Sequence, residues 1–542
     1  MNLKNTVNRY LIDALGKLNL AVESFDLSSP KNPKFGDLST NVALILAKKV
    51  GGNPLEIARK IEQVILIEKS VISEITITPP GFINFKISPS YYQTIVQQII
   101  DKDEHFNTGD IGKGKTANVE FVSANPTGPL SVGHGRQAVL GDTIANILQW
   151  HGYDVTREYY YNDGGKQMRI LANSVEARYF QIIGKEVEWS SDFYQGEYIE
   201  NIAKDIKKEF GEKVKSGDKY FRKVAEERIF SDIRKTLENI GISHDVFSNE
   251  KYFIESNKIE TIIKDLRKEG LAYEEDGATW FKTTALGKDQ DRVLIKSSGE
   301  PAYRLPDILY HRDKFERNYD LLIDVFGADH IDSYPDVILA LEALGYDTSN
   351  LRVLIHQFVT LTKGREKVKM STRKAEYVTL NELIRLVGKD VVRYFFLMRG
   401  MNTHLNFDIE LAQDQSENNP VFYLQYAHAR ICNIIRHGKQ QGVTFNKDYD
   451  PSLLSHDAEI TLIKQLNQFS DIMATVLESL EPRSIANYLQ SLATSFHKFY
   501  TECHVITNDI PLSRARIALI TATRKILAQG LNILGISAPE RM

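Results

Sequence analysis

The chain has 542 residues, 42% of them hydrophobic and 25% charged, with a formal net charge of -4 at pH 7. That length supports about three domains with real cores, and the near-neutral balance excludes a globally basic nucleic-acid binder, so any polyanion partner must be met by local basic patches. Cys432 and Cys503 are too few for a disulfide framework or a four-ligand zinc site; with no window approaching the ~18 apolar residues of a membrane span and no apolar signal-peptide core in MNLKNTVNRYLIDALGKLNL, a cytoplasmic protein with no membrane partner is expected.

Residues 1 to 110 read as a small α+β unit: an amphipathic opening helix, the helical run NVALILAKKV, and the short strands EITIT and FINFKI. From Thr116 the pattern becomes repeated strand and helix. TANVEFVSAN predicts a strand, Arg136 to Trp150 a helix stopped by Gly152, and DVTREYYY a second strand. Residues 170 to 290 are charged and predict a mostly helical insertion with solvated faces. A second unit follows in DLLIDVF, in the helix YPDVILALEALG between Pro335 and Gly345, and in LRVLIHQFVTL as one strand. Two βαβ units imply an α/β domain over 111–415 with a doubly wound, Rossmann-like parallel sheet. QDQSENNP (413–420) is the linker candidate, and the helical patterns over 416–542 predict an all-α bundle.

One motif is a false friend. GDIGKGKT, Gly109 to Thr116, satisfies the P-loop pattern, but a working P-loop follows a strand and opens a helix. Here polar KDEHFNT precedes it and the strand NVEFV follows.

In an open parallel sheet, ligands bind beyond the carboxyl ends of the strands. That rule selects Ser123, Asn125 and the turn through Gly133, His134 and Gly135; YNDGGKQ; GADH; and TKGREKVKMSTRK. Glycines at a strand-to-helix turn admit a close ligand, and the helix start offers unpaired N–H groups and a positive dipole end that suit phosphate. The last segment carries Lys363, Arg365, Lys367, Lys369, Arg373 and Lys374, charges suited to a transferring phosphoryl group.

SVGHG followed later by KMSTR resembles the paired "HIGH" and "KMSKS" signatures of class I aminoacyl-tRNA synthetases. VEFVSANPTGPLSVGHGR, EYYYNDGGKQM, YRLPDILYHRDKFER, DVFGADH, KVKMSTRKAEYVTL, FYLQYAHARI, LGISAPERM and PPGFINFKIS are similar to the bacterial arginyl-tRNA synthetase family over nearly the whole chain. The resemblance implies an ATP-dependent ligase that activates L-arginine to arginyl-adenylate and transfers it to the 3' end of tRNA(Arg), with ATP and Mg2+, no structural metal, and a monomer. It implies that Glu120, Ser123, Asn125, Tyr303 and Asp307 bind arginine; that Gly133, His134, Asp329, His330, Lys367, Lys369 and Met370 meet ATP; and that Ser131, His134, Lys369, Ser371 and Arg373 act in catalysis. The N-terminal unit would bind the tRNA elbow through Phe82 and Asn84, and the bundle the anticodon through Tyr426, Arg430 and Met542. Asn84 also fits an exposed sheet face alternating with Phe82 and Lys86.

Two positions depart from the family pattern. Ser131 replaces the first histidine of HIGH, and exchanging a charged hydrogen bond for a neutral one predicts a loss on the order of tenfold in rate. Thr372 stands where KMSKS has its second lysine, so Arg373 or one of Lys363, Lys367 and Lys369 must supply that charge.

Overall fold

The computed structural model describes residues 3–30, 32–102, 109–163, 165–217, 219–255, 258–364, 366–367, 378–444 and 449–542. Its centre is a five-stranded parallel sheet in the order Leu351–His356, Leu321–Gly327, Thr116–Glu120, Asp154–Tyr161, Val246–Asn249. From the middle strand 116–120 the chain first moves outward through 154–161 to 246–249. It later returns beside 116–120 as 321–327 and moves the other way. The order therefore reverses between 116–120 and 321–327, which opens a crevice at their carboxyl ends. The sheet is covered because its residues demand it: Ala117, Val119, Ile323 and Val325 have no exposure, and the Val132–Trp150 helix lays Ala138, Val139, Ile144, Ile147 and Leu148 into the same core.

The span 170–290 is mostly helical, as expected, but also contributes strands. Helices Gly165–Ile182, Glu197–Phe210 and Tyr220–Asn239 lead into Val246–Asn249, the fifth strand of the main sheet, and Ala272–Glu275, Ala278–Phe281 and Arg292–Ile295 form a separate antiparallel sheet. Four half-buried edge residues are too few to show a period. The hairpin turn, by contrast, carries Asp276-Gly277 with φ of 50° and 74°, a turn signal.

LRVLIHQFVTL also divides. Its first half ends at His356, and Val359–Lys363 joins Leu405–Asp408 and Glu366–Lys367 in another sheet. The break has a cause. Gln357 N–H donates to Met401 O at 3.0 Å, and Gln357 O accepts from the buried Arg136 Nη1 at 2.6 Å, so both backbone groups leave the main ladder.

The N-terminal unit is a four-stranded sheet with five helical segments, among them Pro54–Val64 and Pro89–Asp101, which the sequence reading left unassigned. It rests on the C-terminal bundle: Gln93 Nε2 donates to Leu454 O at 3.1 Å and Lys525 Nζ to Ile100 O at 3.0 Å. The bundle comprises Pro420–Gln440, Asp457–Ser479, Arg483–Glu502 and Ile510–Ile533, the first capped by Asn419 from the linker. Gly109–Thr116 feeds the amino end of the middle strand, with Gly112 N–H donating to His151 O at 2.9 Å. It lies at the opposite edge of the sheet from the crevice.

Candidate active site

The crevice is a cavity of about 660 Å³. The middle strand ends with Val122 and Ser123 at φ of 70° and 43°, strain that costs of order 1–3 kcal/mol for a β-branched residue. The turn lets Ser123 Oγ donate to Glu120 Oε1 at 2.9 Å while accepting Tyr160 N–H at 3.1 Å. Asn125 accepts Asn162 N–H at 3.0 Å and donates to Gln167 at 3.2 Å, tying the loops after the first two strands together.

The 132–150 helix points its N-terminus into the crevice. Ser131 Oγ accepts His134 N–H at 3.4 Å, and Ser131 N–H donates to His134 Nδ1 at 3.2 Å, a capping box. With Nδ1 accepting, a neutral ring carries its proton on Nε2. Burial lowers the His134 pKa, which favours that neutral donor. Gly133 lines the cavity. Gly135 is closely packed: a Cβ there would stand 2.5 Å from Leu380 Cδ1 and 3.1 Å from Phe396 Cε2, so these side chains would have to shift.

The opposite wall belongs to the Arg304–Glu316 helix and the 250–255 turn of helix. Asp307 and Glu250 line the cavity with Tyr303 and Tyr160. Burial pushes the Asp307 carboxyl up to about 7, reinforced by the charges of Glu250 and Glu120 against His311. Burial pushes Glu250 up to about 7 as well, although Tyr160 OH and Asn162 Nδ2 donate to it at 3.1 and 2.5 Å. Among the described residues neither carboxylate forms an ion pair with a lysine or arginine. Two half-buried carboxylates in one cleft, neither paired with a lysine or arginine and flanked by phenols, make a site for a cation. Asp329, His330, Phe358 and His356 complete the far end; the rings of Phe326 and His330 stack at 5.0 Å.

Three family models match the chain: "tRNA synthetases class I (R), catalytic domain" over residues 95–395, "Arginyl tRNA synthetase N terminal domain" over 1–87, and "DALR anticodon binding domain" over 424–542. The chain belongs to the arginyl-tRNA synthetase family. Arginine--tRNA ligases of Salinibacter ruber and Chlorobaculum tepidum are each 47% identical to it, over 98% of this chain and 98% and 99% of theirs. A putative arginyl-tRNA synthetase structure from Campylobacter jejuni superposes with a TM-score of 0.77 at 30% identity, covering 84% of this chain and all of that one. The Thermus thermophilus arginyl-tRNA synthetase shares the fold with a TM-score of 0.78 at 20% identity, covering 99% and 100%.

Of the residues the family resemblance selected, Glu120, Ser123, Asn125, Ser131, Gly133, His134, Tyr303, Asp307, Asp329 and His330 all line this one cavity. Lys367 is exposed on a two-residue strand and does not line it. Lys369, Met370, Ser371 and Arg373 lie outside the described residues. On the bundle, Arg430 sits over the rings of Tyr426 and Tyr500 at 5.2 and 4.6 Å, and Met542 is exposed. Phe82 is partly exposed, but the placement of Asn84 needs correction: it is 2% exposed, in a strand paired on both sides. Its amide donates to Thr78 Oγ1 at 3.0 Å and Thr76 O at 3.4 Å, so its N–H groups are turned into the sheet.

Sequence reasoning missed Glu250, because it follows a strand too short to read. It also missed His311 and Lys314, which were legible: with Asp307 they fall at i, i+4 and i+7 of one helix face.

Proposed function

We propose that this cleft activates L-arginine with ATP and that the chain is an arginine–tRNA ligase. The observation that carries this reading is the pair Asp307 and Glu250, two half-buried carboxylates that among the described residues form no ion pair with a lysine or arginine, across from a helix N-terminus that presents His134. A guanidinium offers five donors in a plane, a match for two carboxylates and the phenols of Tyr303 and Tyr160. Ser123 and Asn125 stand where they can hold the α-amino and carboxylate groups. The arginine carboxylate then faces the α-phosphate in the seat formed by Gly133, His134 and the helix start, and His134 Nε2–H donates to a phosphoryl oxygen as charge develops. Positioning and charge stabilisation supply the catalysis.

ATP lies toward Asp329 and His330, with the basic segment containing Lys367, Lys369, Met370, Ser371 and Arg373 as its further partner. Magnesium, arriving with the triphosphate, supplies charge neutralisation at the phosphates. The one described group of ligand atoms close enough for a metal, Glu120, His311 and Asp324, does not fit that ion, since Lys314 Nζ already bonds both carboxylates. tRNA(Arg) binding falls to Phe82 on the N-terminal unit and to Tyr426, Arg430 and Met542 on the bundle, where a guanidinium over aromatic rings suits stacking with an unpaired base. We further propose a monomer acting in the cytoplasm; among the described residues no helix is long and apolar enough to cross a membrane. Pyrophosphate exchange with arginine and tRNA present tests the reading: exchange that depends on arginine supports it, and exchange supported equally by lysine refutes it.

A further inference from the structure

Three carboxylates stand side by side in the sheet, the middle one of them lining the cleft. Asp324, Glu120 and Glu158 face one another in register on three adjacent parallel strands, and all are buried. Like charges on neighbouring strands, roughly 5 Å apart, repel strongly in an apolar interior. Three basic residues from one helix and its C-terminal cap answer them at a spacing of three: His311 Nε2 reaches Asp324 Oδ2 at 2.9 Å, Lys314 Nζ reaches Glu120 Oε2 at 2.7 Å and also Asp324 Oδ1, and Arg317 Nη1 reaches Glu158 Oε2 at 2.9 Å. Lys314, the middle cation, has no exposure and serves two carboxylates at once.

This row does more than hold a helix to a sheet. The helix that carries Lys314 begins with Tyr303 and Asp307, and Glu120 is both a member of the row and a wall of the cleft. One Glu120 oxygen is fixed by Lys314 from below and the other by Ser123 Oγ from the cleft side. We propose that Lys314 is a positioning residue for amino-acid binding: its buried ammonium bridges Glu120 and Asp324 and fixes the Glu120 carboxylate against the cleft wall. The inference rests on the reading of this cleft as the arginine site.

Without the ammonium, Glu120 and Asp324 face each other with only His311 nearby, while Glu158 remains held by Arg317. Two such carboxylates share a proton. Glu120 then loses charge, or turns toward His311, and the amino acid loses a partner, while Glu250 keeps its bonds from Tyr160 and Asn162.

The test is steady-state pyrophosphate exchange by the full chain with tRNA, between pH 6 and 9, for the wild type, Lys314→Met, Lys314→Arg and Glu120→Gln. Lys314→Met is expected to raise the arginine KM at least tenfold at pH 7, with the excess shrinking as pH rises. The ATP KM and the rate at saturating arginine should move less than threefold, and Lys314→Arg should restore at least half of the loss on a logarithmic scale. If Lys314→Met does not fold, Lys314→Met with Asp324→Asn, which removes one charge of each sign, is expected to raise the arginine KM at pH 7 through the lost anchor on Glu120, without the pH dependence. An arginine KM within twofold of wild type, a parallel loss in ATP KM and rate, or failure of both variants to fold would overturn the proposal in favour of a purely structural lysine. Glu120→Gln separates the two levels: if it leaves the arginine KM unchanged, the reading of the site itself fails, whereas a raised KM there beside a normal Lys314→Met defeats the lysine proposal alone.

Discussion

Ser131 and His134 hold each other across the first turn of the helix that opens the cleft, each side chain bonded to the other's backbone N–H, at 3.4 and 3.2 Å. The serine that replaces the family's first HIGH histidine is thus a helix cap that sets the tautomer of the second. Ser131→Ala keeps the backbone N–H that holds His134 Nδ1 but loses the side-chain cap, about 1 kcal/mol of stability, and, with the first turn loosened, several-fold in adenylation rate; thermal unfolding and single-turnover adenylation read both. Ser131→His should hold or raise the rate, since His456 shows within this chain that an imidazole Nδ1 can cap a helix. A fall of more than tenfold would mean the hydroxyl does something a cap does not.

The paired carboxylates predict a pH dependence. Asp307 and Glu250 are each pushed up to about 7, and a guanidinium binds their ionised forms. The arginine KM should therefore rise as pH falls from 8 to 6, approaching tenfold per unit for each proton taken up, while the ATP KM changes little. The sign for stability is opposite. Between about 4, the value of an unfolded carboxyl, and about 7, the folded protein binds more protons than the unfolded chain. Stability without ligand falls as pH rises through that window, and arginine should raise the unfolding temperature more at pH 8 than at pH 6.

Glu250→Gln isolates the residue that sequence reasoning missed. Loss of one charged hydrogen-bond partner, worth roughly 1.5–3 kcal/mol, should raise the arginine KM about 10- to 100-fold in pyrophosphate exchange. An unchanged KM would remove Glu250 from the site.

What was legible in the sequence divides along physical lines. The strands NVEFV and DLLIDVF and the glycine-flanked His134 were readable because period and turn chemistry are local. Val246–Asn249 was not, because four edge residues carry no period, and Glu250 disappeared with it. The break at His356 was hidden too: Arg136 and Met401, each far away in sequence, take the backbone groups of Gln357. The acidic row was written in plain view, Glu120, Glu158 and Asp324 each lying in a strand of the sheet, but its meaning needed the register.

Arg430 lies over Tyr426 and Tyr500 on the bundle, far in sequence from the cleft. Arg430→Ala should weaken tRNA binding by roughly 1–3 kcal/mol, the scale of a lost stacking or cation contact, and steepen the tRNA dependence of arginylation. The unfolding temperature should move little, since the guanidinium is only half-buried. Filter binding of tRNA by the variant reads this directly, and unaltered affinity would place the anticodon elsewhere.

The central claim is that Asp307 receives the guanidinium of the substrate. Asp307→Asn keeps the shape and removes the charge, so arginine-dependent pyrophosphate exchange with tRNA present should show an arginine KM raised at least tenfold at pH 8, with the ATP KM within threefold of wild type. An arginine KM unchanged by that substitution would contradict the account.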